Sequence, residues 1–529
     1  MAKTLTEEKL VKLLAILVTL TICTTRISMA AGQIFQGLAL LMGILLFFRQ
    51  GRQLHMEGES KKYYLAALAF FASTLVSAIG AVNPGAVVKE FFNMWIWRSV
   101  IFVLIAAFIR RRDYLVNMLA TYLAVMGLEG IAAAGEAIFI GGRGWGFGPR
   151  TTNSLALCGM MCLVFPTACI ILYDKGFEQK LKKAASFCTG GILAGQLGAQ
   201  SRAAWLTAVI SAPMAFAPYA KKSLKYMTVV LSIAALVVGM FAVRPHYLKR
   251  LMSSSNMTTD WSNTHRLWLW ESCINMFKDH PVNGIGLGNF QMFYRDKGYW
   301  MHNGKGELTP AELRQKAATA QQGLKKPAST QPKTAAQKQA PVKKAAPVQK
   351  LPVKQNAVQQ KDTAQNNTVK KQATAGPKAP GQQNIAQKSN TVQKQATAKQ
   401  PPAKQKTGQQ KPAQQKPIAQ KPVAKPNVPQ KRVFVAGHAH NSYFQLLAET
   451  GVIGFAGLVL FVLYYLGNSL RNWFREKQPY DLMFFTSFLS FFVLFAQVEH
   501  IVDNSAAVRM MWFLLAILLQ MKALKQNGN

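Results

Sequence analysis

Near the C-terminal end of the chain, His440 and Asn441 precede nine residues and then Gly451 and Gly454, in the run GHAHNSYFQLLAETGVIG. Imidazole is the side chain whose ordinary pKa, about 6.5, lets it accept and return a proton near neutrality. Ser442, followed three residues later by Gln445, reads as a capping box, so a helix is predicted to start there and end near Gly451. His440 then lies just before a helix N-terminus, whose positive end disfavours imidazolium and leaves the ring able to accept a proton. Asn441 is placed to hold that ring or a substrate hydroxyl. The neighbouring His438 makes the pattern His-Ala-His, half of a metal site, but only Glu449 lies close enough in sequence to extend it. His438 and Glu449 are therefore secondary candidates, and no metal is expected.

A lone loop histidine is more often structural than catalytic, so a site here needs partners, and four arginines supply candidates. Arg202 stands in AQSRAAW, at the edge of an apolar run where a guanidinium is costly unless paired or solvated. Arg266 stands in NTHRLWLWESCINMF, a predicted helix with Trp270, Ile274 and Phe277 along one face. Arg143 and Arg150 occur among glycines in GGRGWGFGPRTTNSLA, a composition suited to phosphate or sugar contacts, with Trp145 as a stacking surface or interface anchor. Glu499, His500 and Asp503 form a polar group between the last two apolar runs, without a spacing that assigns roles; Asp503 is kept as a secondary candidate. In HPVNGIGLGNF, glycines 284, 286 and 288 alternate. That spacing is not a dinucleotide fingerprint and predicts a tight turn whose backbone approaches the bilayer or another helix, with Phe290 and Phe293 at the interface.

The elements that carry these residues are long apolar runs. Candidate spans cover 10–23, 31–48, 63–82, 91–109, 115–140, 154–172, 184–200, 203–218, 226–243, 452–467, 481–498 and 508–521. The expected fold is all-α and polytopic, with about twelve transmembrane helices. The first span resembles a secretory signal but lacks a small-x-small cleavage site and is read as retained. The run 184–200 is the weakest because it carries Gly190, Gly191, Gly195 and Gly198, yet the charge pattern requires it. With every span counted, the lysines and arginines of the short loops fall on one side, which the positive-inside rule makes cytoplasmic. Both termini are then cytoplasmic, the segment 244–451 faces outward, and chemistry there proceeds without cytosolic ATP or nucleotide sugars.

The basic excess is local. Residues 313–432 hold 23 Lys and 2 Arg against one Asp, a balance of +24 out of the chain's +40. Lys, Gln, Ala, Pro and Thr dominate this stretch, no aromatic residue occurs, and near-repeats recur, so it is expected to be a disordered insertion. Its lysines suit contact with anionic envelope polymers, although a tolerated loop insertion explains them as well. Its location and lack of stacking residues exclude nucleic acid as a partner. The expected organisation is nine transmembrane helices in 1–243, the ordered first part of a large helical outer loop in 244–312, the insertion in 313–432, the motif-bearing end of the loop in 433–451, and three helices in 452–529. Five of the six cysteines lie in predicted spans and Cys273 stands alone outside, so no disulfide framework is expected.

Taken in order, the QSRAAW arginine, the loop opening HRLWLWESCINMFKDHPVNGIGLGNF and the closing H-N-x9-G-x-x-G resemble the O-antigen ligase and polymerase superfamily of bacterial envelope glycosyltransferases, the lipid A core ligase branch most of all. The resemblance implies metal- and nucleotide-free transfer of a glycan from a polyprenyl diphosphate carrier to an acceptor, lipid A core, on the outer (periplasmic) face of the inner membrane. It implies no cofactor. Arg202 and Arg266 would bind and neutralise the diphosphate, and His440 would activate the acceptor hydroxyl. The insertion departs from the family pattern by separating Arg266 from His440, but doubling a loop's length adds only about 0.6 kcal/mol of closure entropy. Two related readings differ in acceptor, namely an O-antigen polymerase and a protein O-oligosaccharyltransferase. A transporter or flippase would instead place ionisable residues deep in the spans, and Arg98, Glu129 and Glu136 are the candidates, also readable as a structural pair.

Overall fold

The structure is a computed structural model that describes residues 2–56, 58–148, 154–222, 261–296, 299 and 437–526. All of them lie in one compact unit made of Met1–Lys326 and Arg432–Asn529. Arg150, the span expected at 226–243 and the insertion at 313–432 lie outside the described residues.

Among the described residues all regular structure is helical: α1 (Ala2–Thr25), α2 (Met29–Arg49), α3 (Gly58–Leu75), α4 (Pro84–Phe91), α5 (Arg98–Phe108), α6 (Arg112–Phe139), α7 (Ser154–Tyr173), α8 (Gln179–Ala199), α9 (Arg202–Phe216), α10 (Trp261–Asp279), α11 (Phe290–Asp296), α12 (Ser442–Glu476), α13 (Pro479–Phe488) and α14 (Ser505–Gln526). Among the described residues, six helices are long and apolar enough to cross a membrane: α2, the continuous stretch Pro84–Phe108, α6, α7, α12 and α14. Each span expected within the described residues falls on a helix. The protein is an all-α polytopic membrane protein. Helices α7 and α14 are buried along most of their length and form the centre, whereas α2 turns most of its surface outward.

The glycine-rich run expected to be the weakest span is a full helix, α8, and its glycines explain its position. A Cβ on Gly191 would lie 2.2 Å from the Gly127 carbonyl oxygen, and one on Gly195 2.6 Å from the Gly130 Cα. Small residues therefore let the backbones of α6 and α8 touch, an association that does not depend on hydrophobic side chains.

The bundle has two chemically distinct ends. At the basic end, Arg112 pairs with Glu178 at 3.2 Å, and the buried Lys522 pairs with Glu59, Glu476 and Asp481, each at 3.0 Å. These contacts tie together the ends of α3, α12, α13 and α14. At the other end, Arg26 pairs with the buried Glu129 at 2.6 Å and donates to the Trp145 carbonyl at 3.1 Å. Arg98 instead reaches the Val502 carbonyl at 2.8 Å and Asp503 at 3.8 Å. The grouping of Arg98 with Glu129 and Glu136 is thus corrected: Glu129 belongs to Arg26, and Glu136 accepts from the backbone of Trp145 and Gly146. Glu129 and Glu136 thus hold neighbouring backbone and side chains in place.

Two wide π-helical stretches, Phe92–Trp97 before α5 and Leu489–Phe495 after α13, interrupt the regular backbone. Such widening leaves carbonyl groups for other partners and is common at functional sites. The second one shapes the site below.

Candidate functional site

The His440 motif is held by the chain that leaves the second π-helical stretch. Tyr443 Oη donates to the Phe492 carbonyl at 2.8 Å, the Ser442 N–H to the Ala496 carbonyl at 2.9 Å, and Asn441 Nδ2 to the Gln497 carbonyl at 2.7 Å. Asn441, not Ser442, is the N-cap of α12: its Oδ1 accepts from the Tyr443 and Phe444 N–H groups. The capping-box assignment is therefore shifted by one residue. Ser442 Oγ bridges Glu499 and Ile501, and Gln445 Oε1 accepts from the Ala439 N–H at 2.9 Å. Asn441 is buried, with its Oδ1 on the cap and its Nδ2 on the Gln497 carbonyl.

This lacing puts His440 against Glu499. Its Nδ1 lies 3.1 Å and 3.2 Å from the two carboxylate oxygens. With the proton on Nδ1, the carboxylate orients the ring and Nε2 keeps a lone pair. The backbone of His440 is left-handed, with φ of 53°, an uncommon conformation for a residue other than glycine that is maintained by the contacts around it. Burial alone would push the Glu499 carboxyl up, but the hydrogen bond and charge of His440, with His438 and Arg266, hold it below the usual carboxylate range. Glu499 is therefore an anion. Burial pushes the His438 imidazole below its ordinary value, with Glu499 opposing and His440 and Arg266 reinforcing the shift.

Four histidines converge here. The His438 and His440 rings are 4.4 Å apart, His265 lies 6.5 Å from His440, and His500 lies 5.8 Å from His438. His265 precedes Arg266 on α10, so the ring contact brings the start of that helix to His440. Arg266 acts on His265, His438 and Glu499, which places its charge within the cluster. Helix α10 differs from the expected face: Leu269, Ser272, Cys273 and Met276 are buried, while Trp270 packs on Phe444 at 5.4 Å and Ile274 and Phe277 are only partly covered.

The glycine-rich segment forms the expected turn, with φ of 73°, 96° and 79° at Gly284, Gly286 and Gly288. It approaches a helix end: the Ile285 and Gly286 N–H groups donate to the Ala448 and Glu449 carbonyls at 3.0 and 2.9 Å, and the Val452 N–H to the Pro281 carbonyl at 2.8 Å. Gly451, at φ 62° and ψ −164°, breaks α12 at this junction, so a helix does end there before the next begins. The segments 261–296 and 437–451 thus meet. Phe290 and Phe293 do not lie at an interface but are buried in a small core with Leu269, Cys273, Met276 and Ala448. Glu449 is part of this lock, accepting from Phe290 N–H at 3.2 Å and Gln445 Nε2 at 3.1 Å, and does not touch His440.

The remaining candidates occupy a neighbouring corner. Arg202 is the first residue of α9, after the Ser201 N-cap. The loop bearing Arg143 is sewn to the same turn by Gly144 N–H to the Gly198 carbonyl at 2.9 Å and Gln200 Nε2 to the Gly142 carbonyl at 2.6 Å. Asp503, half-exposed, stands beside Arg98 rather than His440.

His438, His440 and Glu499 offer three ligand atoms within 4.8 Å of one another, and they are the described residues able to surround a metal. The hydrogen bonds oppose that use. The His440 N–H donates to His438 Nδ1 at 3.3 Å, and His438 Nε2 faces Glu499 at 3.7 Å, so those atoms already have partners within the protein.

Sequence reasoning did not single out His265, and it left Glu499 without a role. Glu499 lies 59 residues from His440, and only the signal of an acidic residue in the last polar loop pointed to it.

Fold and site together define a multi-pass helical membrane protein with a histidine–carboxylate pair, beside the start of the helix that bears Arg266, at one end of its bundle. Residues 187–312 match the family described as O-antigen ligase. The match supports the O-antigen ligase superfamily and a glycan-transfer function of the ligase or polymerase type. It contains Arg202, Arg266 and the glycine turn, while His440 and Glu499 lie beyond it. No curated protein matches the chain.

Proposed function

We propose that the protein transfers a glycan from polyprenyl diphosphate to an acceptor hydroxyl, that of lipid A core, at the outer face of the bacterial inner membrane. The observation that carries this reading is the His440–Glu499 pair beside the helix that bears Arg266. His440 Nε2 removes the proton from the acceptor hydroxyl, and Glu499 stabilises the imidazolium that results. The acceptor oxygen bonds to the anomeric carbon as the bond from that carbon to the diphosphate oxygen breaks, inverting the centre. The electron pair leaves on the diphosphate, which Arg266 and Arg202 neutralise, with Arg143 and Arg150 as further contacts to donor phosphate or sugar. Diphosphate leaves without protonation, so no paired carboxylic acid is required. The basic end of the bundle faces the cytoplasm, with both termini there, by the positive-inside rule.

The test is transfer by the purified protein, in a bilayer disc with chelator present, from a lipid-linked glycan to candidate acceptors. His440→Ala and Arg266→Ala should each lower kcat about 100-fold or more, near 3 kcal/mol of transition-state stabilisation. Full activity in both variants would end the proposal. Cellular glycan profiles after deletion identify the acceptor: loss of all polymer from lipid A fits a ligase, single-repeat capping a polymerase, and altered envelope proteins alone a protein glycosyltransferase.

A further inference from the structure

Beside the histidine cluster lie two cations that the proposed reaction does not use. Arg98 is 3% exposed and Arg509 1% exposed. A guanidinium stays protonated in proteins, and a buried one without compensation costs several kcal/mol. The compensation here is thin. Arg98 has one carbonyl, Val502 at 2.8 Å, and one paired carboxylate, the half-exposed Asp503 at 3.8 Å, with Glu90 attracting it without pairing. Arg509 has only the thioether of Met29, at 3.6 Å, and among the described residues no carboxylate pairs with it. The Nε atoms of both arginines, and both ring nitrogens of the buried His500 that feels Arg98, lack hydrogen-bond partners. The two guanidiniums also lie within electrostatic reach of each other, so each worsens the other's burial.

The place of this pair limits what can complete it. Arg98 binds the Ile501–Asp503 turn, and Arg509 lies one turn into α14, both at the site end of the bundle. Met29, the first residue of α2, is 41% exposed on the outward-facing helix. The route to Arg509 therefore leads from the surrounding lipid at the depth of a headgroup, where the common anion is phosphate, the group to which arginine offers a matched donor fork.

We propose that Arg98 and Arg509 form a second anion site, separate from Arg202 and Arg266, that takes the phosphate or diphosphate headgroup of a membrane lipid entering past Met29. The site holds irrespective of whether the histidine cluster transfers a glycan. A polyprenyl diphosphate or polyprenyl phosphate and an anionic phospholipid share the required chemistry, and binding decides between them.

Native mass spectrometry of delipidated full-length protein, titrated separately with undecaprenyl diphosphate, undecaprenyl phosphate, phosphatidylglycerol and inorganic pyrophosphate, measures this directly. One lipid per chain should bind at least tenfold more weakly to Arg509→Gln and Arg98→Gln, and the lipid with the largest loss names the source. Inorganic pyrophosphate should bind more weakly than either polyprenyl lipid. Retention of every lipid within twofold in both Gln variants would overturn the site. So would an Arg509→Met protein that melts higher with its lipid binding intact, since the buried charge would then be uncompensated rather than ligand-directed. If the Gln variants do not fold, Arg509→Lys decides: it keeps the charge without the fork, so at least threefold weaker binding supports the site and unchanged binding refutes it.

Discussion

Glu499→Gln tests the central geometry. The carboxylate holds His440 Nδ1 with both oxygens, at 3.1 and 3.2 Å, in a position only 3% exposed. Glutamine preserves the shape but removes the charge that stabilises imidazolium. Its amide is also free to present its NH2 group to Nδ1, which would place the ring proton on Nε2 and abolish the base. A buried hydrogen bond to a charged group contributes about 1.5–3 kcal/mol. Taking about 2–3 kcal/mol at 1.36 kcal/mol per decade predicts a 30- to 150-fold fall in kcat. The KM for the lipid-linked donor should stay within about twofold, because Glu499 faces the base and not the diphosphate. Initial rates in bilayer discs, with melting temperature recorded for both proteins, provide the assay. At least half of wild-type kcat, or a loss confined to donor KM, would refute the orienting role.

Three further outcomes follow from the same structure. Gly284→Ala should destabilise by about 2 kcal/mol or more, because a left-handed alanine costs about 1–2 kcal/mol and its Cβ would lie 2.4 Å from the Glu449 carbonyl; an unchanged melting temperature would contradict this junction. Burial lowers the His500 pKa to about 3, so between the ordinary histidine value and that point the unfolded chain binds a proton the folded one does not, and stability falls as pH drops from 6 to 4. At about 1.36 kcal/mol per pH unit that amounts to roughly 2–3 kcal/mol, which His500→Gln should remove from the pH dependence of melting. Deleting residues 313–432 should leave transfer in the purified assay within a fewfold of wild type, and its abolition would assign the tract an essential role.

Apolar runs located the long helices of the bundle among the described residues but not the short α4 and α11, because hydrocarbon admits a helix wherever about twenty residues lack charge, whereas a short helix leaves no such run. The glycines at 284, 286, 288 and 451 announced a tight junction for a similarly local reason, since only a missing Cβ tolerates those backbone angles and contacts. His440 was legible as a candidate base beside a helix start. Which groups surround it was not. His265 arrives on α10 and Glu499 and His500 on the turn that follows the second π-helical stretch; none carries a spacing relative to His440, and the widened stretch and its turn, whose carbonyls hold Tyr443 and Asn441, leave no mark in composition. The cap moved from Ser442 to Asn441 and the pairing of Arg98 moved to Asp503 for the same reason: several polar groups compete for each partner, and long-range packing chooses among them. The sequence by itself thus determined a helical membrane protein with a candidate base and candidate arginines. Only the tertiary structure decided that the base faces a buried carboxylate, because that pairing depends on contacts between chain segments far apart in sequence.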